Sequence, residues 1–164
     1  MITMGKGILF FLCGKMGAGK STVSKRLELE EHAVRLSEDE WLQALYPNQI
    51  HTFEDYRRHS ELLKPIVETT VQRMLEVGTN VVMDFPANTI GLRQWFLAIA
   101  NKVGADHQLI YLNLSDEQCM RRIAKRRTEM PERAAFDTKE VFDHVTSFFE
   151  APSESEGIRI IEYD

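Results

Sequence analysis

The sequence has 164 residues, 43% of them hydrophobic and 27% charged. That is enough for one sizeable core, short for two, and unlike the biased composition of a disordered chain. A formal net charge of -5 argues against extended nucleic-acid binding and against general affinity for anionic membranes, both of which rest on accumulated Lys and Arg. No apolar run approaches the roughly 20 residues of a membrane helix. The start MITMGKGILFFLCG lacks a signal-peptide cleavage pattern, so a single cytoplasmic domain over residues 1–164 is expected.

The run Gly7 to Cys13 is apolar without alternation and bounded by glycines, which suits a central strand buried on both faces. A glycine-rich turn and a helix over Ser21 to Glu30 follow. A short strand, Ala33 to Leu36, leads into Ser37-Glu38-Asp39-Glu40, which reads as a capping box opening a helix that stops before Pro47. From Phe53 to Val77 apolar residues recur at three and four, with Pro65 expected to kink or split the helix. Asn80 to Asp84 is a compact strand ending in an acid. A helix over about Thr89 to Lys102, a strand from His107 to Leu112 and a helix opening at Ser115, with Gln118 completing a capping box, come next. Residues Thr128 to Phe136 read as a loop, Asp137 to Phe149 as an amphipathic helix, and Ile158 to Tyr163 as a last strand. Alternating strands and helices predict a three-layer α/β fold on a parallel sheet, with ligands beyond the carboxyl ends of the strands, near Gly14, Ser37 and Asp84.

Gly14-Lys15-Met16-Gly17-Ala18-Gly19-Lys20-Ser21 matches G-x-x-x-x-G-K-[ST] in full, between a strand and a helix. Glycines let successive N–H groups face inward, and the helix adds its positive end, so the segment is a cage for phosphate. Lys20 is placed to neutralise the β- and γ-phosphates of ATP, and the Ser21 hydroxyl to join a Mg²⁺ shell.

Asp84 is a candidate for holding Mg²⁺, directly or through water, or else a cap before Pro86. Asp39 is either a general base for an attacking hydroxyl or a charge favoured by the helix dipole. Arg121, Arg122, Lys125, Arg126 and Arg127 crowd five cations on less than two turns, which reads as a lid over the nucleotide, spanning about residues 121–136, or as a solvated helix end. The segment Tyr56, Arg57, Arg58, His59 could line an acceptor site. Cys13 and Cys119 lie in no metal or redox motif and read as buried apolar residues.

These residues resemble the small P-loop kinases of the AAA-type ATP-binding group, which include the kinase domain of polynucleotide kinases, chloramphenicol phosphotransferase and zeta-toxin-like proteins. The likeness lies in GKMGAGKST, LSEDEW, VVMD and RRIAKRR, and in a tail of Phe149-Glu150-Ala151-Pro152 followed by Glu156-Gly157-Ile158. The resemblance implies a sheet order of 2-3-1-4-5, nucleotide contacts from Gly14 through Thr22, and Asp39 as the base within Ser-x-Asp. It also implies adenine stacking by Arg122, phosphate contact by Arg126, and positions near the phosphates or acceptor for Asn88 and Arg93. The segment Asp84-Phe85-Pro86-Ala87-Asn88 departs from the D-x-T-N of polynucleotide kinases, which leaves the acceptor side distinct. The expected activity is transfer of the γ-phosphate of ATP to a hydroxyl of a small molecule or of a nucleic-acid 5′ end. Its alternatives are an ATPase or nucleotide-gated binding module, and a nucleoside monophosphate kinase. The sequence leaves the acceptor and the oligomeric state open.

Overall fold

The computed structural model describes residues 5–163. In chain order the elements are β1 (Ile8–Cys13), α1 (Lys20–Glu30), β2 (Ala33–Ser37), α2 (Glu38–Leu45), α3 (Phe53–Glu76), β3 (Asn80–Pro86), α4 (Ile90–Lys102), β4 (Asp106–Leu112), α5 (Asp116–Glu129), α6 (Lys139–Thr146) and β5 (Ile160–Tyr163). Short 3₁₀ turns occupy Pro131–Arg133 and Glu154–Glu156. The strands form one parallel sheet of order β2-β3-β1-β4-β5, with helices on both faces.

The unbroken apolar character of β1 follows from its central place. Successive strand side chains point to opposite faces, so Leu9, Phe11 and Cys13 meet α3 and α4 through Leu63, Val67, Val71, Leu75 and Phe96. Phe10 and Leu12 meet Val23 and Leu27 of α1, Ile123 of α5 and Phe142 of α6 on the other face. The Phe11 and Phe96 rings stack at 4.8 Å with 13° between their planes, fixing α4 against the strand that feeds the glycine turn.

Four differences from the sequence reading have local causes. Pro65 does not split α3, which is continuous over 24 residues. It stands on the exposed side of the helix, where water can satisfy the carbonyl one turn earlier. The strand β3 does not stop at Asp84 but continues to Pro86 through an irregularity: Phe11 pairs with Met83 and the next β1 residue, Leu12, with Pro86. The last helix opens at Lys139, capped by Thr138, because Asp137 is drawn out of it into the interior. The expected loop after the basic run holds a further part of α5 and a 3₁₀ turn. Among the described residues no helix is long and apolar enough to cross a membrane.

Candidate active site

The glycine turn is shaped by backbone that other residues resist. Gly17 and Gly19 sit at φ 81° and 97°, in the left-handed region, and Gly19 is the residue from which α1 starts. A side chain at Gly17 would also run into the Cys119 carbonyl at 2.7 Å and Ile123 Cγ1 at 2.8 Å, so α5 packs directly on the turn. The Gly14 N–H donates to Asn88 Oδ1 at 3.0 Å, which ties the start of the turn to the end of β3.

Lys20 folds back over this turn and donates to the Gly14 and Lys15 carbonyls at 2.5 and 3.4 Å. Burial holds its ammonium below the ordinary lysine range, against the raising influence of Asp84 and Asp39. Ser21 and Thr22 lie exposed in the first turn of α1. Arg122 lies against the other side, donating from Nη1 to the Ala18 carbonyl at 3.4 Å. Beside it opens a cleft of about 200 Å³ lined by Gly19, Thr22, Arg26, Leu114, Arg122 and Tyr163. Lys15 is turned away, paired with Asp116 at 2.6 Å and lying over the Phe149 ring.

Asp84 lies at the end of the sheet with one oxygen fully engaged. Its Oδ2 accepts from Ser24 Oγ at 3.0 Å and from Arg35 Nη2 at 2.8 Å, while Arg35 Nε donates to Ser24 Oγ at 2.8 Å. Among the described residues Oδ1 has no such partner. The Ser24 hydroxyl also lies 2.9 Å from the Ser21 carbonyl, which competes with Asp84 for its one proton, so Asp84 sits beside the turn of α1 that carries Ser21. Arg35 was not singled out from the sequence. Its only signal was a cation two residues before Ser37, on the same face of a strand whose end enters the site.

The three acids that open α2 have different surroundings. Ser37 caps the helix, accepting from the Glu40 N–H at 3.4 Å, but the reciprocal half of a capping box is missing because Glu40 reaches Arg35 at 3.3 Å. Glu38 is buried and accepts from Ser60 Oγ at 2.6 Å and from the Tyr56 hydroxyl. Burial pushes its carboxyl above the usual range. Asp39 has neither a hydrogen bond nor an ion pair among the described residues and opens to solvent. Its surroundings still raise its carboxyl through desolvation, opposed by Arg133, reinforced by Asp84 and opposed again by Lys20 and Arg126.

The basic helix is organised by a residue that the sequence reading placed at a helix start. Asp137, 1% exposed, accepts from Arg126 Nε and Nη2 at 2.9 and 2.7 Å and from Arg133 Nε at 3.3 Å. Of the segment Tyr56 to His59, only Tyr56 and His59 turn inward: Tyr56 to Glu38, His59 against Tyr46. Arg57 and Arg58 pair on the surface with Glu54 and Asp55.

Asn88 acts on the glycine turn, whereas Arg93 is wholly buried and faces the tail. Arg93 meets Glu156 through two bonds, 2.8 and 3.2 Å, and donates to the Ala87 carbonyl at 3.0 Å. Although burial works to raise the Glu156 carboxyl, the bonds from Arg93 and the Ser153 N–H hold it below the usual range. Arg93→Met should cost about 3–5 kcal/mol in urea unfolding, because it strands a nearly buried carboxylate, whereas Arg93→Met with Glu156→Leu should recover most of the loss. A single-variant loss under about 1 kcal/mol would mean that water already screens the pair. Cys13 lies against Arg93 in this interior, and burial pushes its thiol up to about 11.

A family model described as AAA domain matches residues 9–152. The chain belongs to that family. Its five-stranded parallel sheet of order β2-β3-β1-β4-β5 is of the kind found in P-loop kinases, and the fold is shared with solved proteins of that kind. It is similar to the APS kinase of Mycobacterium tuberculosis, solved with AMPPNP and APS, at 18% identity and TM-score 0.67, covering 98% of this chain and 90% of that one. It is similar to a candidate kinase from Chloroflexus aurantiacus at 18% identity and TM-score 0.75, covering 98% and 86%. A gluconokinase from Sinorhizobium meliloti matches at 17% identity and TM-score 0.61, covering 97% and 83%. A search of the curated proteins finds no match. At these identities the likeness is one of fold.

Proposed function

We propose that this AAA-family P-loop protein, acting as one domain over residues 1–164, is a kinase that transfers the γ-phosphate of ATP to a hydroxyl of a small molecule. The observation that carries the reading is the placement of an uncommitted acid, Asp39, two residues past Ser37, which pairs with Asp84, while Lys20 folds over the Gly14 carbonyl at the end of the adjacent strand β1. A hydroxyl held in that volume has a proton acceptor on one side and the phosphate turn on the other.

The residues fit Mg-ATP. The turn from Gly14 to Ser21, bent left-handed at Gly17 and Gly19 and leading into the start of α1, suits the phosphates, with Thr22 and the cleft at Arg122 beside them. Lys20 would exchange its two carbonyl partners for the β- and γ-oxygens. Ser21 and the free Oδ1 of Asp84 would hold Mg²⁺, which when bound draws charge from the transferring group. Arg122 would stack on adenine, and Arg126 would face the phosphoryl oxygens from a short lid over about 121–136. The ligands named for the Mycobacterium kinase, AMPPNP and APS, support a small-molecule acceptor rather than a polymer, as does the net charge of -5.

The test is a transfer screen with labelled ATP against sugars, nucleosides, antibiotics and 5′-hydroxyl oligonucleotides. Label in one acceptor class is the expected result. ATP hydrolysis at a rate no acceptor alters would instead establish an ATPase or nucleotide-gated module, and transfer to a nucleoside monophosphate would displace the hydroxyl reading.

A further inference from the structure

Asp137 is the most completely buried acid in the described chain, and three basic side chains converge on it: Arg126, Arg133 and, through its carbonyl, Arg127 at 3.5 Å. An acid held only to pin the fold would be expected to face inward partners. Here both arginine side chains stay partly open, 31% and 36% exposed. Arg126 commits Nε and Nη2 to Asp137 and Arg133 commits Nε, so Nη1 of the first and both terminal nitrogens of the second have no protein acceptor among the described residues. Arg126 follows Arg122 by one turn on helix α5, which packs on the glycine turn at Gly17 and reaches the Ala18 carbonyl through Arg122, so the cluster lies beside the phosphate-binding turn.

We propose that Asp137 is a positioning residue that holds Arg126 and Arg133 side by side, their unused donor edges aimed at the oxygens of the transferring phosphoryl group, so that Arg133 contacts this group as Arg126 does. The inference rests on the kinase reading. Two guanidiniums bonded to the same carboxylate repel each other, and sharing that one buried carboxylate lowers the cost before any anion arrives. Such preorganisation matters most where charge spreads over the equatorial oxygens in transit, and least for nucleotide already seated in the glycine turn.

The test uses ADP, Mg²⁺ and aluminium fluoride, a combination that imitates the phosphoryl group in transit and needs no acceptor. Calorimetric titration of the whole chain with Mg-ADP, with and without fluoride, should give wild type a gain of roughly 10²-fold with fluoride, at the low end for transition-state mimics. Asp137→Asn should lose most of that gain while binding ADP alone within about threefold of wild type, since Lys20 and the turn are untouched. Arg133→Ala, which leaves Arg126 paired, should lose a substantial part. Retention of the full gain by Asp137→Asn, even with a lowered melting temperature, makes Asp137 a pin of the fold and overturns the proposal. Should that variant not fold, Arg133→Ala decides: full gain overturns, a reduced gain with normal ADP affinity upholds. Wild type that binds ADP with no fluoride gain sinks this inference and leaves nucleotide binding standing, whereas wild type that binds no ADP removes the kinase reading itself.

Discussion

Asp39→Asn is expected to keep ATP affinity within a few-fold while lowering transfer to the hydroxyl acceptor by roughly 10²- to 10⁴-fold, the range for losing a positioned base. Asparagine preserves shape and can bond locally, but it accepts no proton. Were Asp39 only a favourable charge in the first turn of α2, the change would cost about 0.3 to 1 kcal/mol of stability and leave transfer intact. The neighbouring acids serve as controls. Glu38 is enclosed by Tyr56 and Ser60, and Glu40 is engaged by Arg35. Glu40→Gln should therefore change transfer little, and a large loss there with none in Asp39→Asn would move the base by one residue. Because desolvation raises the Asp39 carboxyl, with Asp84 reinforcing and Arg133, Lys20 and Arg126 opposing, the acid limb of kcat/KM should lie above the ordinary aspartate range. Activity is full above the raised value and is lost as pH falls through it, and Asp39→Asn should erase that limb.

Lys20→Ala should reduce turnover by roughly 10²- to 10³-fold, the scale on which one preorganised donor acts, and should weaken Mg-ATP as well. The lysine is half-enclosed and already directed at the Gly14 and Lys15 carbonyls. Its removal leaves these oxygens pointing into the volume meant for phosphate, an adverse field added to a lost cation. Lys20→Arg should rescue little, because a planar fork cannot occupy the place of a compact ammonium between two carbonyls. The checks are single-turnover transfer and nucleotide titration, and unchanged values for Lys20→Ala would take the glycine turn out of the mechanism.

Much of the fold is legible because its signals are local. An unbroken apolar run marks β1 as central, and Ser115 with Gln118 does form the reciprocal cap that opens α5. The glycines at 17 and 19 stand where backbone must turn left-handed. What escaped was pairing across distance. Nothing near Arg35 announces Asp84, 49 positions on, and nothing in the basic helix announces that Asp137 will leave the following helix to enter the interior. Proline at 65 misled for the opposite reason: its effect depends on which side of the helix meets water, and the pattern around it gave the spacing but not the wetness of one carbonyl. Family likeness puts Arg93 near the phosphates or acceptor, and its bonds go to Glu156, Ala87 and Cys13.

Asn88 serves two partners at once: its side chain accepts from the Gly14 N–H, and its carbonyl accepts from the Glu150 N–H at 2.9 Å. Glu150 in turn accepts from the Ile90 N–H through Oε1 at 3.1 Å, closing a small ring of contacts. Three stretches far apart in sequence thus share one hinge point, and none can open without loosening the others. Amide protons at Gly14, Ile90 and Glu150 should accordingly exchange with deuterium as one group, at a common rate, and nucleotide should slow all three together although it touches only the first.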